Sequence, residues 1–247
     1  MTTQAASSPH LQRSAVTRSL LVVWQDPADR RFVPIAELNH LDDGRYVFQY
    51  SDAARVNNGF FALDEYPDLS RTYVSDSLPV FFANRVMTAG RPSYERYLHW
   101  LGLGNLESSE VPLEVLARTG GGRATDTFHI VDRPLKGERA FSSRFFVSGI
   151  RHVEDSDHAL ALVRPGDRLE LRKQPENNKN PKAVIIDVET GVQLGWVPDW
   201  LCGEVTDLMT DGWSLTLTAE QVNLDAPAHT RVLCLLAAEL PERSSSS

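Results

Sequence analysis

At 247 residues with 42% hydrophobic composition, the chain is long enough for one large domain or two ordinary ones. Its net charge of −8 counts against a protein that coats nucleic acid by bulk electrostatics, because phosphate neutralisation needs clustered lysine and arginine. The two cysteines, Cys202 and Cys234, form no disulfide framework and lack the CxxC spacing of a zinc site. No apolar run approaches the ~20 residues that span a bilayer. We therefore expect a cytoplasmic protein with reduced thiols.

The first half of the chain predicts an antiparallel sheet. Residues 1–18 are polar without a long apolar stretch, which predicts a disordered leader rather than a signal peptide. Residues 19–135 are expected to form an α+β domain with strands at Leu20–Gln25, Arg31–Ile35 and Arg45–Tyr50. Pro34 indicates a bulge or an edge position, and Asp42-Asp43-Gly44 predicts a hairpin turn.

Helices are expected at several places in the same half. Ser51 is predicted to cap a short helix over Ala53–Asn57. An apolar stripe predicts a helix over Ser93–Leu101, and Pro112 marks the first turn of another that runs to about Arg118. Gly120–Gly122 invites a phosphate-loop interpretation, but it lacks a preceding strand and a Walker lysine. A helix cap followed by a loop is the better interpretation.

A second domain is predicted at residues 141–240, after a boundary within Arg133–Ala140. Its strand-like runs are short and lie at 145–150, 168–172, 183–188, 214–219 and 230–236. Helix starts are expected near Glu154–Asp157 and at Pro198, the second helix running to Leu208. These elements predict a small, partly closed β-barrel of the OB or SH3 type with short helices. The Ser-rich end, 241–247, is expected to be a disordered tail.

None of the usual catalytic arrangements occurs in the sequence. The seven histidines are scattered, and none has HxxxH or HExxH spacing. The carboxylates of Glu154–Asp157 suit the positive end of a helix better than a divalent-metal centre. No Ser, Cys or Thr lies in a nucleophile-elbow pattern. We therefore expect no enzymatic activity, no metal site and no cofactor.

A basic cluster is the most informative feature of the second domain. Six cations fall within nineteen residues: Arg164, Arg168, Arg172, Lys173, Lys179 and Lys182. The bend Asn177–Lys182 presents amides and ammoniums together, which suits phosphate oxygens and base edges. The alternative is a solvated strand face with a polar turn. Trp200 could stack on a base or pack in the core, whereas core packing is expected for Trp196.

Three landmarks in this domain occur in an order typical of one family. They are Pro165-Gly166-Asp167 with its strand, the Asn-x-x-Asp-x-x-Ala-Val-like run Asn177–Val184, and the Gly-aromatic-Val-Pro step Gly195–Pro198. With them, the stretch Ser143–Leu208 resembles a HIRAN domain, a small β-rich module of DNA-repair helicases and of varied bacterial proteins. The resemblance implies that the domain binds a single-stranded DNA 3′ end through an Arg-aromatic pair and an aromatic-Asp pair.

The resemblance matches four positions of this sequence to the DNA-binding residues of the family. Arg151 matches the arginine, His152 the first aromatic, Lys179 the second aromatic and Asn180 the acid. Of these positions, only Arg151 keeps the residue type of the family. Lys179 has no π-face on which a base could stack, and the amide of Asn180 carries no charge. Together with the basic cluster, the resemblance gives this predicted nucleic-acid site: Arg151, His152, Lys173, Asn177, Asn178, Lys179, Asn180, Lys182 and Trp200.

The first half carries a looser resemblance. The Trp24 strand, the Asp43-Gly44 turn with Tyr46–Tyr50, and the segment Pro79–Arg85 resemble the amino-terminal subdomain of HipA-type toxin proteins. The sequence departs from a HipA chain in lacking a Gly-rich phosphate loop in strand context and a catalytic loop with its metal-binding Asp. No kinase function follows from the resemblance.

These observations lead to two hypotheses from different classes. The first is a non-catalytic bacterial module that binds single-stranded DNA or DNA 3′ ends, in DNA repair, toxin control or phage defence. The second is a protein-interaction adaptor, in which residues 20–103 dock a partner protein and the barrel is a scaffold.

Overall fold

The computed structural model describes residues 4–5, 14–57, 59–107, 109–122 and 126–241. Its contacts divide the chain into two compact units. The first comprises residues up to Leu98 together with Leu103–Arg133, and the second comprises His99–Gly102 together with the chain from Pro134 onward. Each unit has its own hydrophobic core. No helix within the described ranges is long and apolar enough to cross a membrane.

The first unit is built on a six-stranded antiparallel sheet with the order β1-β5-β4-β3-β2-β6. Its strands are β1 (Gln4–Ala5), β2 (Val16–Gln25), β3 (Phe32–Leu41), β4 (Tyr46–Tyr50), β5 (Thr72–Ser75) and β6 (Phe128–Asp132). Side chains alternate between the two faces of a strand, so Leu20, Val22 and Trp24 of β2 all point into the core. From β4, Phe48 and Tyr50 join the same core.

In the described residues the α-helices of this half are α1 (Asp52–Val56), α2 (Val80–Ala83), α3 (Tyr94–Trp100), whose last two residues belong to the second unit, and α4 (Val111–Thr119). Helix α4 buries Leu113 and Leu116 against the core. It ends at Gly120, which has a left-handed φ of 74° and donates its N–H to the Leu116 carbonyl. Glycine adopts this conformation without steric cost. The predicted helix cap at Gly120 is therefore confirmed.

Three predictions for this half are refined by the structure. Pro34 lies at a register shift between β2 and β3, and β3 is an interior strand, so the proline marks a bulge and not an edge. Ser51 does precede α1, but its hydroxyl donates to the Pro34 carbonyl at 2.7 Å and makes no capping bond. The predicted leader is wrong at Gln4–Ala5 and over Val16–Arg18, which form strands because they pair with β5 and β3.

The second unit contains a seven-stranded antiparallel sheet with the order β11-β10-β9-β12-β13-β8-β7. Its strands are β7 (Leu135–Lys136), β8 (Ala140–Phe146), β9 (Arg168–Lys173), β10 (Val184–Val188), β11 (Gln193–Trp196), β12 (Ser214–Val222) and β13 (Val232–Glu239). Most of the predicted tail lies outside the described residues. Leu240, just before it, donates its N–H to the Arg139 carbonyl at 3.0 Å.

The chain just after β8 contacts the edge strand at the other end of this sheet, β11. Ser148 forms an isolated antiparallel bridge with Trp196 of β11, with N···O distances of 2.8 and 2.9 Å. Gly195 makes the approach possible, because a Cβ atom there would lie 2.6 Å from the Ser148 carbonyl oxygen. The bridge joins the chain just after β8 to β11. Because β8 and β11 lie far apart in the strand order, this contact gives the unit a barrel-like form.

Two α-helices and two short 3-10 helices complete the second unit. They are α5 (Ser156–Ala161), α6 (Asp199–Thr210), and the 3-10 helices Ile150–His152 and Ala228–Thr230. Helix α6 buries Leu201, Cys202 and Val205 in the core. The predicted helix start in the acidic run is confirmed by α5. The molecule is thus of the mixed α+β class with antiparallel sheets, as predicted.

Candidate nucleic-acid interface

The indole of Trp196 connects the two segments that the sequence singled out for ligand binding. Its Nε1 donates to Gln174 Oε1 at 2.9 Å, and the same oxygen accepts a hydrogen bond from Asn177 Nδ2 at 2.8 Å. On its other side the ring lies against Gly149, where a Cβ atom would come within 2.7 Å of Trp196 Cε3. The turn at Gly149 and the bend after Gln174 therefore flank one indole.

This position of Trp196 differs from the core packing that the sequence predicted. The side chain is half-buried and lies outside the main hydrophobic cluster. The reason is the bridge to Ser148, which holds Trp196 at the edge of the sheet. Trp200, for which the sequence left stacking and core packing open, is half-buried and packs against the core from α6.

Arg151 and His152 are exposed on the 3-10 helix that follows Gly149. Gly149 has a φ of 72°, a conformation that favours glycine, and it turns the chain into this helix. Arg151 Nε donates to His152 Nε2 at 3.1 Å. Desolvation, together with the nearby Arg151 charge, lowers the pKa of His229, so its imidazole is neutral at pH 7. His229 therefore adds no positive charge to that of Arg151.

The asparagines of the bend hold its backbone. Asn177 Oδ1 accepts hydrogen bonds from the backbone N–H groups of Lys179 and Asn180 at 2.9 and 3.1 Å. Asn180 Oδ1 accepts one from the Lys182 N–H at 2.9 Å. Such side-chain bonds to following N–H groups are how Asn stabilises turns. The oxygens that were predicted to meet a ligand are thus already engaged, whereas the exposed Asn178 makes no side-chain hydrogen bond to any described residue.

A carboxylate that the sequence reasoning missed lies beside the bend. Asn180 Nδ2 donates to Asp199 Oδ1 at 3.1 Å, and Asp199 is exposed in the first turn of α6. Nineteen positions separate the two residues along the chain. The only sequence signal is that Asp199 directly follows the Gly195–Pro198 step. The structure therefore places a negative charge next to the position that the resemblance assigns to an acid.

The predicted basic cluster is not one cationic patch. Arg172 pairs with Asp187 at 2.8 Å, and Lys182 Nζ lies 3.2 Å from Asp207 Oδ1. Lys173 Nζ donates to Thr210 Oγ1 at 2.7 Å, and Arg164 Nη1 donates to two backbone carbonyls. The physical reason is that α6 presents Asp207 and Thr210 to these lysines.

Of the four cations in the predicted site, Lys182 has a carboxylate partner and Lys173 donates to a neutral hydroxyl, which leaves its charge uncompensated. Within the described ranges, neither Arg151 nor Lys179 forms an ion pair with a carboxylate. Both are exposed, and they lie on the two segments that flank Trp196. The structure thus brings Arg151, His152 and the Asn177–Asn180 bend to one region, while Lys173 and Lys182 contact α6. No cluster of residues able to hold a metal ion occurs within the described part of the chain.

Comparisons with known proteins gave one family match, which lies in the second unit. The HIRAN domain family model matches residues 140–240. A crystal structure of a protein from Lactobacillus plantarum is 18% identical over 43% of this chain and 95% of that one, with a TM-score of 0.35. The crystal structure of the HIRAN domain of human HLTF is 17% identical over 42% and 79%, with a TM-score of 0.31. No curated protein matches the chain.

The HipA resemblance of the first half stays a prediction, since the matched residues all lie in the second half. The family match covers β8 to β13, including both segments that flank Trp196. A HIRAN domain at residues 140–240 is accordingly supported, as the sequence predicted.

Proposed function

We propose that this chain is a non-catalytic DNA-binding module that engages single-stranded or end-bearing DNA through its HIRAN domain. The family match at residues 140–240 supports DNA binding in general. The observation that carries the proposal is the pair of uncompensated cations, Arg151 and Lys179, on the two segments beside Trp196. Two exposed cations on chain segments next to one aromatic residue suit a flexible phosphodiester backbone with an unstacked base.

The resemblance suggests how a DNA end would be held at this site. Arg151 and Lys179 would bind phosphate oxygens, and Trp196 would supply the aromatic contact that Lys179 does not. Asp199, bonded to Asn180, would accept the hydrogen bond of a terminal 3′-hydroxyl. We place such a module in the bacterial cytoplasm, in DNA repair, toxin control or phage defence.

A salt series tests this proposal. Fluorescence anisotropy would follow binding of a labelled 3′-overhang duplex and a single strand between low and moderate salt. The Arg151→Ala/Lys179→Ala variant should bind roughly tenfold to a hundredfold more weakly, since hydrogen bonds to charged groups contribute that much. The slope of log K against log salt should also be shallower by about 1.4 for the single strand, because each of the two lost phosphate contacts accounts for about 0.7.

A matched control removes two cations elsewhere. Arg91 and Arg96 are exposed in the first unit, and neither forms an ion pair with a described residue. The Arg91→Ala/Arg96→Ala variant should keep the affinity and slope of the original protein. The proposal fails if no DNA binds at low salt, or if both double variants weaken binding equally. A Trp196→Leu variant with unaltered affinity would remove the aromatic contact from the proposal.

A protein-interaction adaptor is the second candidate, and exposed apolar side chains in the first unit favour it. Phe61 is 84% exposed and Val56 is 77% exposed. Large apolar side chains at such exposure are candidate anchors for a partner protein. The expected result is a stoichiometric partner in a pull-down that is lost in a Val56→Ser/Phe61→Ser variant but kept by Arg151→Ala/Lys179→Ala.

A further inference from the structure

A groove opens on the second unit where two neighbouring strands separate. β9 and β12 pair over two residues on each strand, and the pairing ends at Leu169 and Leu217. The same register would next place Leu171 opposite Leu215, but these two residues are not paired. A cavity of about 480 Å³ lies at this point, and both leucines line it. The two strands therefore diverge toward the end of β9 and the start of β12.

The main-chain groups of Leu171 and Leu215 face this groove. Ala219 of β12 donates its N–H to the carbonyl of the residue before β9 at 2.9 Å, so its main-chain groups face β9. Leu215 lies four positions earlier and faces the same side, because main-chain groups alternate between the two sides of a strand. Gln174 donates its N–H to the residue before β10 at 2.8 Å, so Leu171, three positions earlier, faces away from β10. Unpaired main-chain groups at a strand edge are a template for another strand.

The side chains around the groove are apolar except for one carboxylate. The apolar ones come from β9, β12 and the end of α6 with the turn after it, and they are Leu169, Leu171, Met209, Trp213, Leu215 and Leu217. Four of them are only partly buried, so a ligand can reach them. Glu170 also lines the groove, is exposed and forms no ion pair with a described residue. A fitting ligand must therefore pair with main-chain groups, cover apolar side chains and meet one negative charge.

We propose that this groove binds an extended peptide as an added strand, antiparallel to β9. An apolar residue of the peptide lies opposite Leu171, and the basic residue that follows it lies opposite Glu170. Successive side chains point to opposite faces of a strand, so the apolar residue faces the end of α6 while the basic residue stays on the outer face with Glu170. In strand addition the main-chain hydrogen bonds supply affinity and the alternate side chains supply specificity.

This peptide site is separate from the proposed DNA-binding site. None of the residues proposed to contact DNA lines the groove. A nucleic-acid strand also suits the groove poorly, because Glu170 repels phosphates and the unpaired main-chain groups match another peptide chain. Peptide binding should therefore be unaltered in the Arg151→Ala/Lys179→Ala variant, whatever that variant does to DNA binding.

NMR titration of the full chain with acetyl-Thr-Val-Thr-Val-Lys-amide tests the proposal. The peptide should shift the amide resonances of residues 169–173 and 213–217 saturably. N-methylation of its second valine should weaken binding by about tenfold or more, because it removes the N–H that bonds the Leu171 carbonyl. A control peptide of the same composition, acetyl-Thr-Thr-Val-Val-Lys-amide, should also bind more weakly, since its valines point to opposite faces.

A pair of matched variants tests the role of the carboxylate. Glu170→Gln should weaken binding of the lysine peptide by about twofold to fivefold, as expected for an exposed ion pair. It should leave unchanged the binding of a peptide in which glutamine replaces the lysine. Glu189→Gln is the control and should have no effect, because Glu189 is exposed in the same unit but does not line the groove.

Several outcomes would overturn the proposal. The first is the absence of saturable shifts in the two ranges, and the second is an N-methylated peptide that binds as well as its parent. Equal effects of Glu170→Gln and Glu189→Gln would contradict the pairing with the basic residue. Displacement of the bound peptide by an oligo-dT strand would make the groove a nucleic-acid surface instead.

Discussion

Arg168 and Arg172 lie on one face of β9, yet only one of them has an anionic partner. Arg172 donates from Nε and Nη2 to the two oxygens of Asp187 on β10, at 2.8 and 3.2 Å. Asp187 is only 4% exposed, and its hydrogen bond is the main cause that raises the pKa of Arg172. Arg168 is exposed and forms no ion pair with a described residue. Of the two arginines, Arg172 therefore has the structural role, as the partner of the buried Asp187 carboxylate.

This difference predicts unequal effects of two matched substitutions. Arg172→Ala should lower the free energy of unfolding by about 1–3 kcal/mol, because it leaves the buried Asp187 carboxylate without its partner. Arg168→Ala should change it by less than about 0.5 kcal/mol, as is usual for exposed positions. Chemical denaturation followed by circular dichroism measures both values. Equal losses would show that the Asp187 contact does not stabilise the unit.

At the scale of elements, closure of the second unit depends on how closely β11 approaches the chain after β8. Gly195 and Gly149 bracket the Ser148–Trp196 bridge, and neither has room for a side chain. At Gly195 the obstacle is the backbone carbonyl of Ser148, which cannot move aside like a flexible side chain. The same bridge fixes Trp196 between Gly149 and Gln174, so closure and the candidate site share one contact.

Gly195→Ala should therefore destabilise the protein and disturb the site together. We expect a loss of about 1–3 kcal/mol in the free energy of unfolding, as for overpacked interiors, and weaker DNA binding. Gly203→Ala is the control, because Gly203 lies in α6 with only Lys182 Cδ near, at 3.9 Å. Alanine in a helix should stabilise by about 0.5–1 kcal/mol. Thermal and chemical denaturation would check both changes. A stable Gly195→Ala variant would contradict the closure described above.

At the scale of the whole molecule, two separate cores stabilise the chain. The first gathers aromatic side chains, with the rings of Phe48 and Tyr66 stacked at 4.0 Å. The second is mainly aliphatic and includes Leu201 and Val205 of α6. Neither cluster contains a residue of the other. A chain with two cores need not unfold in a single cooperative step.

Calorimetry should therefore resolve two unfolding transitions. Phe48→Ala should lower one of them, since truncating a buried Phe costs about 3–5 kcal/mol. Leu201→Ala should lower the other, at a cost of about 2–5 kcal/mol. Each variant removes a fully buried side chain from a different core. A single transition that both variants shift equally would mean that the two units unfold as one.

The sequence by itself identified several elements, though not β1, β5 or α2, and the family resemblance of the second unit. Alternation identified β4 and β12, glycine identified the turn at Gly44 and the end of α4 at Gly120, and three ordered landmarks indicated the HIRAN domain. These signals are local, because side-chain period and backbone conformation depend on neighbouring residues.

Only the tertiary structure decided which charges remain available and which aromatic ring lies at the candidate site. Sequence spacing placed six cations together, but Lys182 meets Asp207 across 25 positions, and Trp196 meets Gln174 across 22. Periodicity assigns a residue to a face of its strand, yet it does not say which strand or helix lies opposite. Which element lies opposite depends on how the strands pair and where α6 packs. The result is that Arg172 and Lys182 have carboxylate partners, whereas Arg151 and Lys179 have none among the described residues.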